Sequence, residues 1–175
     1  MRQFALLRIS AVVLIAGLVS SPALAPAFAQ SACPREPLTP AKAQSLSLSP
    51  LTIDSGGKTH TFTVELASTA KEQEIGLMHR NVMAEDHGML FNFYQERRAS
   101  FWMCHTFIPL DMLFVHSNGV IEAIKDNAVP HSEDPIGPRA PVQAVLELVG
   151  GAAQKLGIKP GDIVHHAIFK NAASS

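Results

Sequence analysis

The sequence predicts a small, single α+β domain in which β-strands dominate: an antiparallel, partly closed barrel-like sheet with two short helices. The composition, 47% hydrophobic and 17% charged, is typical of a folded globular protein. About seven or eight short apolar segments are bounded by turn residues, whereas two carry helix signals. Because many short strands leave many unpaired edges, closing the sheet toward a barrel is the economical arrangement.

The first 29 residues have the features of an export signal. Arg2 and Arg8 form a positive start, and residues 9–19 are an apolar run too short to span a membrane. The small residues Ala27 and Ala29 place cleavage before Gln30. We therefore expect a periplasmic or secreted protein with no membrane span after cleavage, and an uncleaved anchor is the alternative.

Both cysteines, Cys33 and Cys104, lie beyond this cleavage site. An even number of cysteines in an oxidising compartment favours a disulfide between them. The alternative is that Cys104 is a small buried hydrophobic residue. Cys33 belongs to residues 30–49, where proline punctuation without an apolar period predicts a linker or a loosely held arm.

We place the globular domain at residues 50–170. Local signals predict the elements of its first half. Thr69 and Glu72 form a capping box, which starts a helix, and Gly76 is a natural end for that helix. Polar and apolar residues alternate over residues 59–66, with the period of a half-buried strand. The predicted elements are this short helix and strands at 51–53, 59–66 and 89–93, with turns at 54–57 and 86–88.

The second half of the domain has the clearest turn signals. Asn118 and Gly119 form the dipeptide that is typical of a tight hairpin. Four prolines and no apolar period make residues 126–141 a long surface loop, and such loops are often functional. The predicted elements are strands at 100–103, 110–115, 120–124, 142–149 and 163–169, a helix at 152–156, a turn at 159–162 and a disordered tail at 171–175.

Composition and missing motifs argue against several function classes. Lys and Arg number 14 against 15 for Asp and Glu, with one Trp and one Tyr, which is unlike a nucleic-acid-binding surface. The chain has no glycine-rich phosphate loop, no G-x-S-x-G, no H-E-x-x-H and no C-x-x-C. We therefore predict no cofactor and no nucleic-acid partner.

Four polar residues are candidates for a ligand pocket: Arg80, His105, Asp111 and Glu147. Arg80 and Asp111 interrupt apolar runs, where a charge is costly unless it is paired. They either form a salt bridge with each other or mark a pocket in which Arg80 holds an anionic group. Glu147 is either a solvent-facing strand residue or an inward acid at the same pocket. His105 is the best general-base candidate, with a structural histidine as the alternative.

All methionines beyond the signal peptide lie between residues 78 and 112. The first interpretation is that methionine fills irregular gaps in a small core. The alternative is a soft-metal site for copper, formed by Met78, Met103, Cys104 and His105. No Met-x-x-Met or His-x-x-Met repeat supports that site, so we predict no metal.

Several sequence blocks together resemble domain-of-unknown-function family 192. This resemblance implies a compact, β-rich single domain that is often exported and has no assigned activity. Cys104 and His105 stand where relatives usually have Lys-Asn, and His79 replaces a frequent aromatic residue. The blocks that carry the resemblance are residues 62–67, 76–80, 88–91, 101–103, Thr106, 108–111, 145–148, Gly150 and 159–162.

These observations favour a periplasmic module that binds a small molecule or a partner protein. Its pocket would be formed by the four polar candidates, with the loop 126–141 as a lid. One alternative is a small hydrolase or isomerase that uses His105 and Asp111 as acid–base partners. The other is the soft-metal protein described above.

Overall fold

The computed structural model describes Cys33 and residues 42–171. The predicted signal peptide, most of the predicted arm and residues 172–175 lie outside these described residues. The described chain contains seven strands and two α-helices, which confirms the β-dominated α+β class. They are β1 (Leu48–Ser55), β2 (Lys58–Ala67), α1 (Ala70–Ile75), β3 (His87–Arg97), β4 (Leu110–Val115), β5 (Ile121–Ala128), β6 (Val142–Val149), α2 (Ala152–Leu156) and β7 (Ile163–His165).

The strands form one sheet in the order β5-β4-β6-β3-β2-β1-β7. Its two ends approach each other, because Val120, next to β5, forms a bridge with Ile163 of β7. The Ile121 N–H also donates to the Asp162 carbonyl at 2.9 Å. The sheet is thus a curled, partly closed barrel, as the sequence predicts.

One strand pair departs from the expected antiparallel arrangement. β2 and β3 run parallel, with Thr63 opposite His87 and Ala67 opposite Phe91. Parallel neighbours need a crossover connection, and α1 lies in it. The predicted capping box is confirmed, since Thr69 Oγ1 accepts from the Glu72 N–H and the Glu72 carboxylate accepts from the Thr69 N–H.

The two faces of the central strands bury separate apolar clusters. Leu90, Leu113 and Leu146 belong to one cluster, around which the sheet curls and against which α2 packs. Residues one position away on the same strands, including Met89 and Met112, belong to the other. Loop residues such as Leu77, Met103 and Phe101 cover that second face. Both faces of β6 are therefore buried.

Two predicted strands are too long, and three are too short. β1, β3 and β5 extend beyond the predicted 51–53, 89–93 and 120–124, so residues 126–128 of the predicted loop belong to a strand. Residues 100–103 contribute only Phe101, which forms a bridge with Ile136, and β7 ends at His165. After β7, His166 accepts a hydrogen bond from the Ile168 N–H and caps the short 3₁₀ helix Ala167–Phe169. The apolar pattern of 163–169 thus arises from a strand followed by a buried turn.

The described ends of the domain are better anchored than the sequence suggests. The Gln44 side-chain amide donates to the carbonyls of Glu72 and Gly76 (2.8 and 2.9 Å), which ties the predicted arm to the end of α1. Asn171, assigned to a disordered tail, donates to the Val164 carbonyl at 3.0 Å. Residues 42–49 and Asn171 therefore belong to the folded domain.

Within the described residues, no helix combines the length and hydrophobicity that a membrane span requires.

Candidate functional site

A cleft of about 510 Å³ opens on the second face of the sheet, between α1 and the segment that follows β3. We call it the Glu147 cleft, because Glu147 of β6 lies in its wall. Phe91, Phe101 and Leu77 supply much of its apolar lining, and Thr106 adds a hydroxyl group. The cleft is therefore lined by apolar and polar side chains in about equal measure, and a concave site with both kinds of surface can hold a small molecule.

Glu147 occupies the centre of the sheet. In the strand register it lies opposite Met89 of β3 and Met112 of β4, and directly opposed residues share one face. Leu146 and Leu148, its neighbours along β6, join the cluster on the other face. Strand alternation thus places this single acid among methionines rather than in water.

The Glu147 carboxyl group has no partner within the part of the chain that the structure describes. Only 4% of the residue is exposed, and no described residue donates a hydrogen bond to it or forms an ion pair with it. Burial alone raises the pKa of the Glu147 carboxyl to about 8. At pH 7 its neutral form prevails, so the group can donate a hydrogen bond into the cleft.

The cleft wall near Thr106 is held by the disulfide between Cys33 and Cys104. The Thr106 hydroxyl donates to the Cys104 carbonyl at 3.2 Å, and the Thr106 N–H donates to the Met103 carbonyl at 3.1 Å. Cys104 and Met103 are fully buried. The loop that carries Thr106 is therefore fixed in place by covalent and hydrogen bonds.

The predicted pair of Arg80 with Asp111 is wrong. The Arg80 guanidinium instead pairs with the Glu65 carboxylate (2.6 Å) and donates to the Gln44 carbonyl (2.6 Å). Glu65 Oε2 also accepts from the Leu46 N–H (2.8 Å). Arg80 is not among the residues that line the Glu147 cleft, so its interactions attach residues 42–47 to the domain.

Asp111 has a structural role away from the cleft. It is fully buried, and its carboxylate accepts from the N–H groups of Asn127, Gly151 and Ala153 at 2.7, 2.9 and 2.8 Å. Gly151 is the N-cap of α2 and has no side chain to satisfy the first amides of the helix. Asp111 supplies that missing cap from β4.

His105 lies beside the cleft rather than in it. Its ring stacks on His79 with centroids 5.8 Å apart, and neither ring lines the Glu147 cleft. Asp111 forms its hydrogen bonds elsewhere, so the predicted acid–base pair of His105 and Asp111 is not assembled. The loop 126–141, predicted as a lid, likewise contributes no lining residue to the cleft. Its Ile136 is hydrogen-bonded to Phe101 through the backbone.

The copper alternative loses its thiolate ligand because Cys104 is part of the disulfide. Met89, Met103 and Met112 are buried in the second apolar cluster. Among the described residues, no group of three or more His, Cys, Asp or Glu side chains could hold a metal ion. These three methionines pack as core residues, whereas Met78 is half-buried and lines the Glu147 cleft.

Sequence reasoning missed most of the cleft. Trp102, Arg97 and Arg98 line it, yet none was a candidate. Two adjacent arginines just before the Phe101-Trp102 pair were an available signal, because charged and aromatic residues together often mark binding surfaces. Their convergence with Glu147 depends on strand order, which the local pattern does not contain.

A second cleft, of about 440 Å³, lies near the start of α2. His60, Glu85 and Lys155 are among its lining residues, and His60 Nε2 is buried with no hydrogen-bond partner. The Lys155 ammonium pairs with the Glu85 carboxylate across it. The two charged groups named here therefore neutralise each other, whereas Glu147 has no charged partner among the described residues.

Comparisons with known proteins identify relatives without an established activity. The family model DUF192, described as an uncharacterized ACR, matches residues 51–166. A crystal structure from Sinorhizobium meliloti 1021, provisionally named a transcription regulator, is 47% identical with a TM-score of 0.70 and covers 71% of this chain and 98% of its own. A protein of unknown function from Novosphingobium aromaticivorans DSM 12444 is 43% identical with a TM-score of 0.68, and the match covers 69% of this chain and 86% of that protein. No curated protein matches significantly.

Proposed function

The chain belongs to the DUF192 family, and from this premise we propose that it is an exported domain that binds a small molecule in the Glu147 cleft. The observation that carries the proposal is the buried Glu147 carboxyl group, which has no partner among the described residues and faces the cleft. A bound molecule with a hydrogen-bond acceptor would give the neutral carboxyl group the partner that the described residues do not supply.

The size and lining of the cleft support a small molecule as the occupant. Its volume of about 510 Å³ lies within the range of small-molecule pockets. Phe91, Phe101 and Leu77 offer apolar surface, while Glu147 and Thr106 offer directional hydrogen bonds. Such a combination fixes the orientation of a mainly apolar ligand.

Export is supported by two independent features. The first 29 residues have the charge, length and small-residue pattern of a cleavable signal. The Cys33–Cys104 disulfide suits an oxidising compartment such as the periplasm or the extracellular space. We place the protein there after cleavage before Gln30.

Binding is favoured over acid–base catalysis by His105 with Asp111. All three amide bonds of the Asp111 carboxylate serve structure, and His105 stacks on His79 outside the cleft. A hydrolase or isomerase that used this pair would need both groups at one site.

Native mass spectrometry of the mature protein, purified gently from its own host, tests the proposal. We expect extra mass that disappears on denaturation, and we expect Glu147→Met to lose it. That variant removes the polar group and leaves at this position the same side chain as at the flanking Met89 and Met112. An exposed control, Glu85→Gln, should keep the extra mass. A bare wild-type chain, together with no binding in a fragment screen followed by NMR, would refute the proposal.

A further inference from the structure

The mouth of the Glu147 cleft is cationic. Arg97 ends β3, Arg98 follows it, and both line the cleft. The Arg97 guanidinium lies 4.0 Å from the centroid of the Phe93 ring and donates to Gln73 Oε1 at 3.3 Å. These contacts hold Arg97 in a defined position without neutralising it.

No carboxylate of the described residues pairs with either arginine. Glu74 also lines the cleft, but its carboxylate lies 3.3 Å from the Lys71 ammonium on α1. With Glu147 neutral at pH 7, the two arginines outnumber the acids of the cleft. The field at the mouth therefore attracts anions and repels cations.

We infer that the ligand of the Glu147 cleft is an amphipathic organic anion, with an apolar body inside the cleft and an oxyanion head group at Arg97 and Arg98. This inference rests on the proposed function, since it specifies the chemistry of the same site. An oxyanion suits two adjacent guanidinium groups, because charge-assisted hydrogen bonds to arginine are strong and geometrically specific. Glu147 then donates to an acceptor on the body of the ligand.

A cationic ligand fits the Glu147 cleft poorly. An amine would have to pass the two arginines, and it would meet a neutral acid rather than a carboxylate at the end of the cleft. Ionising Glu147 to hold the amine would require a buried ion pair, whose desolvation offsets much of the attraction. A neutral molecule would gain the apolar contacts but nothing from the arginines.

Three probes share a phenylalkyl body and differ in the charge of their head group: phenylbutyrate, its primary amide and phenylbutylamine. Their affinities therefore distinguish an anionic, a neutral and a cationic ligand. Each is titrated into the mature protein while the backbone amides of Gly76, Phe91 and Thr106 are followed by NMR. A Kd on the order of 1 mM is expected for a carboxylate of this size. We expect the carboxylate to bind at least about fivefold more tightly than the amide, and the amine most weakly.

Matched variants assign the selectivity to the mouth. Arg97→Gln with Arg98→Gln should remove the preference, so that phenylbutyrate and its amide bind with the same affinity. Arg139→Gln removes an exposed arginine that does not line the cleft, and it should change neither.

The outcomes distinguish the two proposals. If the amide or the amine binds as tightly as the carboxylate, the anionic ligand class is wrong and small-molecule binding stands. If the double variant retains the preference for the carboxylate, the arginines are not its cause and the inference fails. If none of the probes shifts the three amides, the anionic ligand class is contradicted, while small-molecule binding is decided by the native mass spectrum and the fragment screen.

Discussion

Replacing Glu147 with glutamine should change how stability depends on pH. The folded-state pKa of Glu147 is about 8, against 4.5 for an unperturbed glutamate. Between these pH values the folded protein holds a proton that the unfolded chain has released, so stability falls as pH rises. At about 1.4 kcal/mol per pH unit, the loss amounts to about 5 kcal/mol across the window. A glutamine side chain does not titrate, so the variant lacks this loss.

Urea unfolding of the oxidised protein at a series of pH values measures the effect. The free energy of unfolding of the wild type, minus that of Glu147→Gln, should become steadily more negative from pH 4.5 to about 8 and then level off. All other side chains are common to both proteins, so the difference isolates the contribution of residue 147. Gln154→Ala, at an exposed position that carries no titratable group, should show no such slope. A flat difference for Glu147→Gln would refute the assignment of a neutral, unpartnered acid.

Three further predictions concern the structural residues. Asp111→Ala should lower the free energy of unfolding by about 3 kcal/mol in urea titrations, because one buried and two partly buried N–H groups lose their acceptor. An unchanged value would contradict the capping role. Cys33→Ser should lower the free energy of unfolding by up to about 4 kcal/mol under oxidising conditions, because the disulfide closes a loop of 71 residues. Added reductant should then lower the stability of the wild type and leave that of the variant unchanged. Burial lowers the pKa of His166 from 6.5. The free energy of unfolding should therefore fall as pH drops below that value, because the unfolded state binds more protons there. His166→Gln should reduce this acid sensitivity, and an unchanged acid profile of the variant would contradict the prediction.

Local signals predict much of this fold. The capping box of Thr69 with Glu72, the Asn118-Gly119 hairpin and the bounds of β6 and α2 all depend on neighbours in sequence, and the structure has them as predicted. Residues 100–103 fail because their apolar side chains cover the second face of the sheet without pairing along a strand. Pattern alone does not separate those two ways of being buried.

The site is harder to predict because its geometry comes from strand order. Arg80 finds Glu65 rather than Asp111 because the end of β2 lies beside the segment that follows α1. Asp111 is buried because it caps a helix whose N-cap residue, Gly151, lies 40 residues later in the chain. Glu147 is ambiguous in sequence because alternation assigns it a face without indicating whether that face is wet. In this protein both faces of β6 are covered.

The most direct test of a neutral Glu147 in a ligand-binding cleft is to titrate its side-chain carboxyl carbon by NMR, in the free protein and with phenylbutyrate. The structure predicts a midpoint near pH 8 in the free protein. The bound anion should raise it further, because a nearby negative charge disfavours ionisation of the acid. A midpoint near 4.5, or one that phenylbutyrate leaves unchanged, would contradict the account.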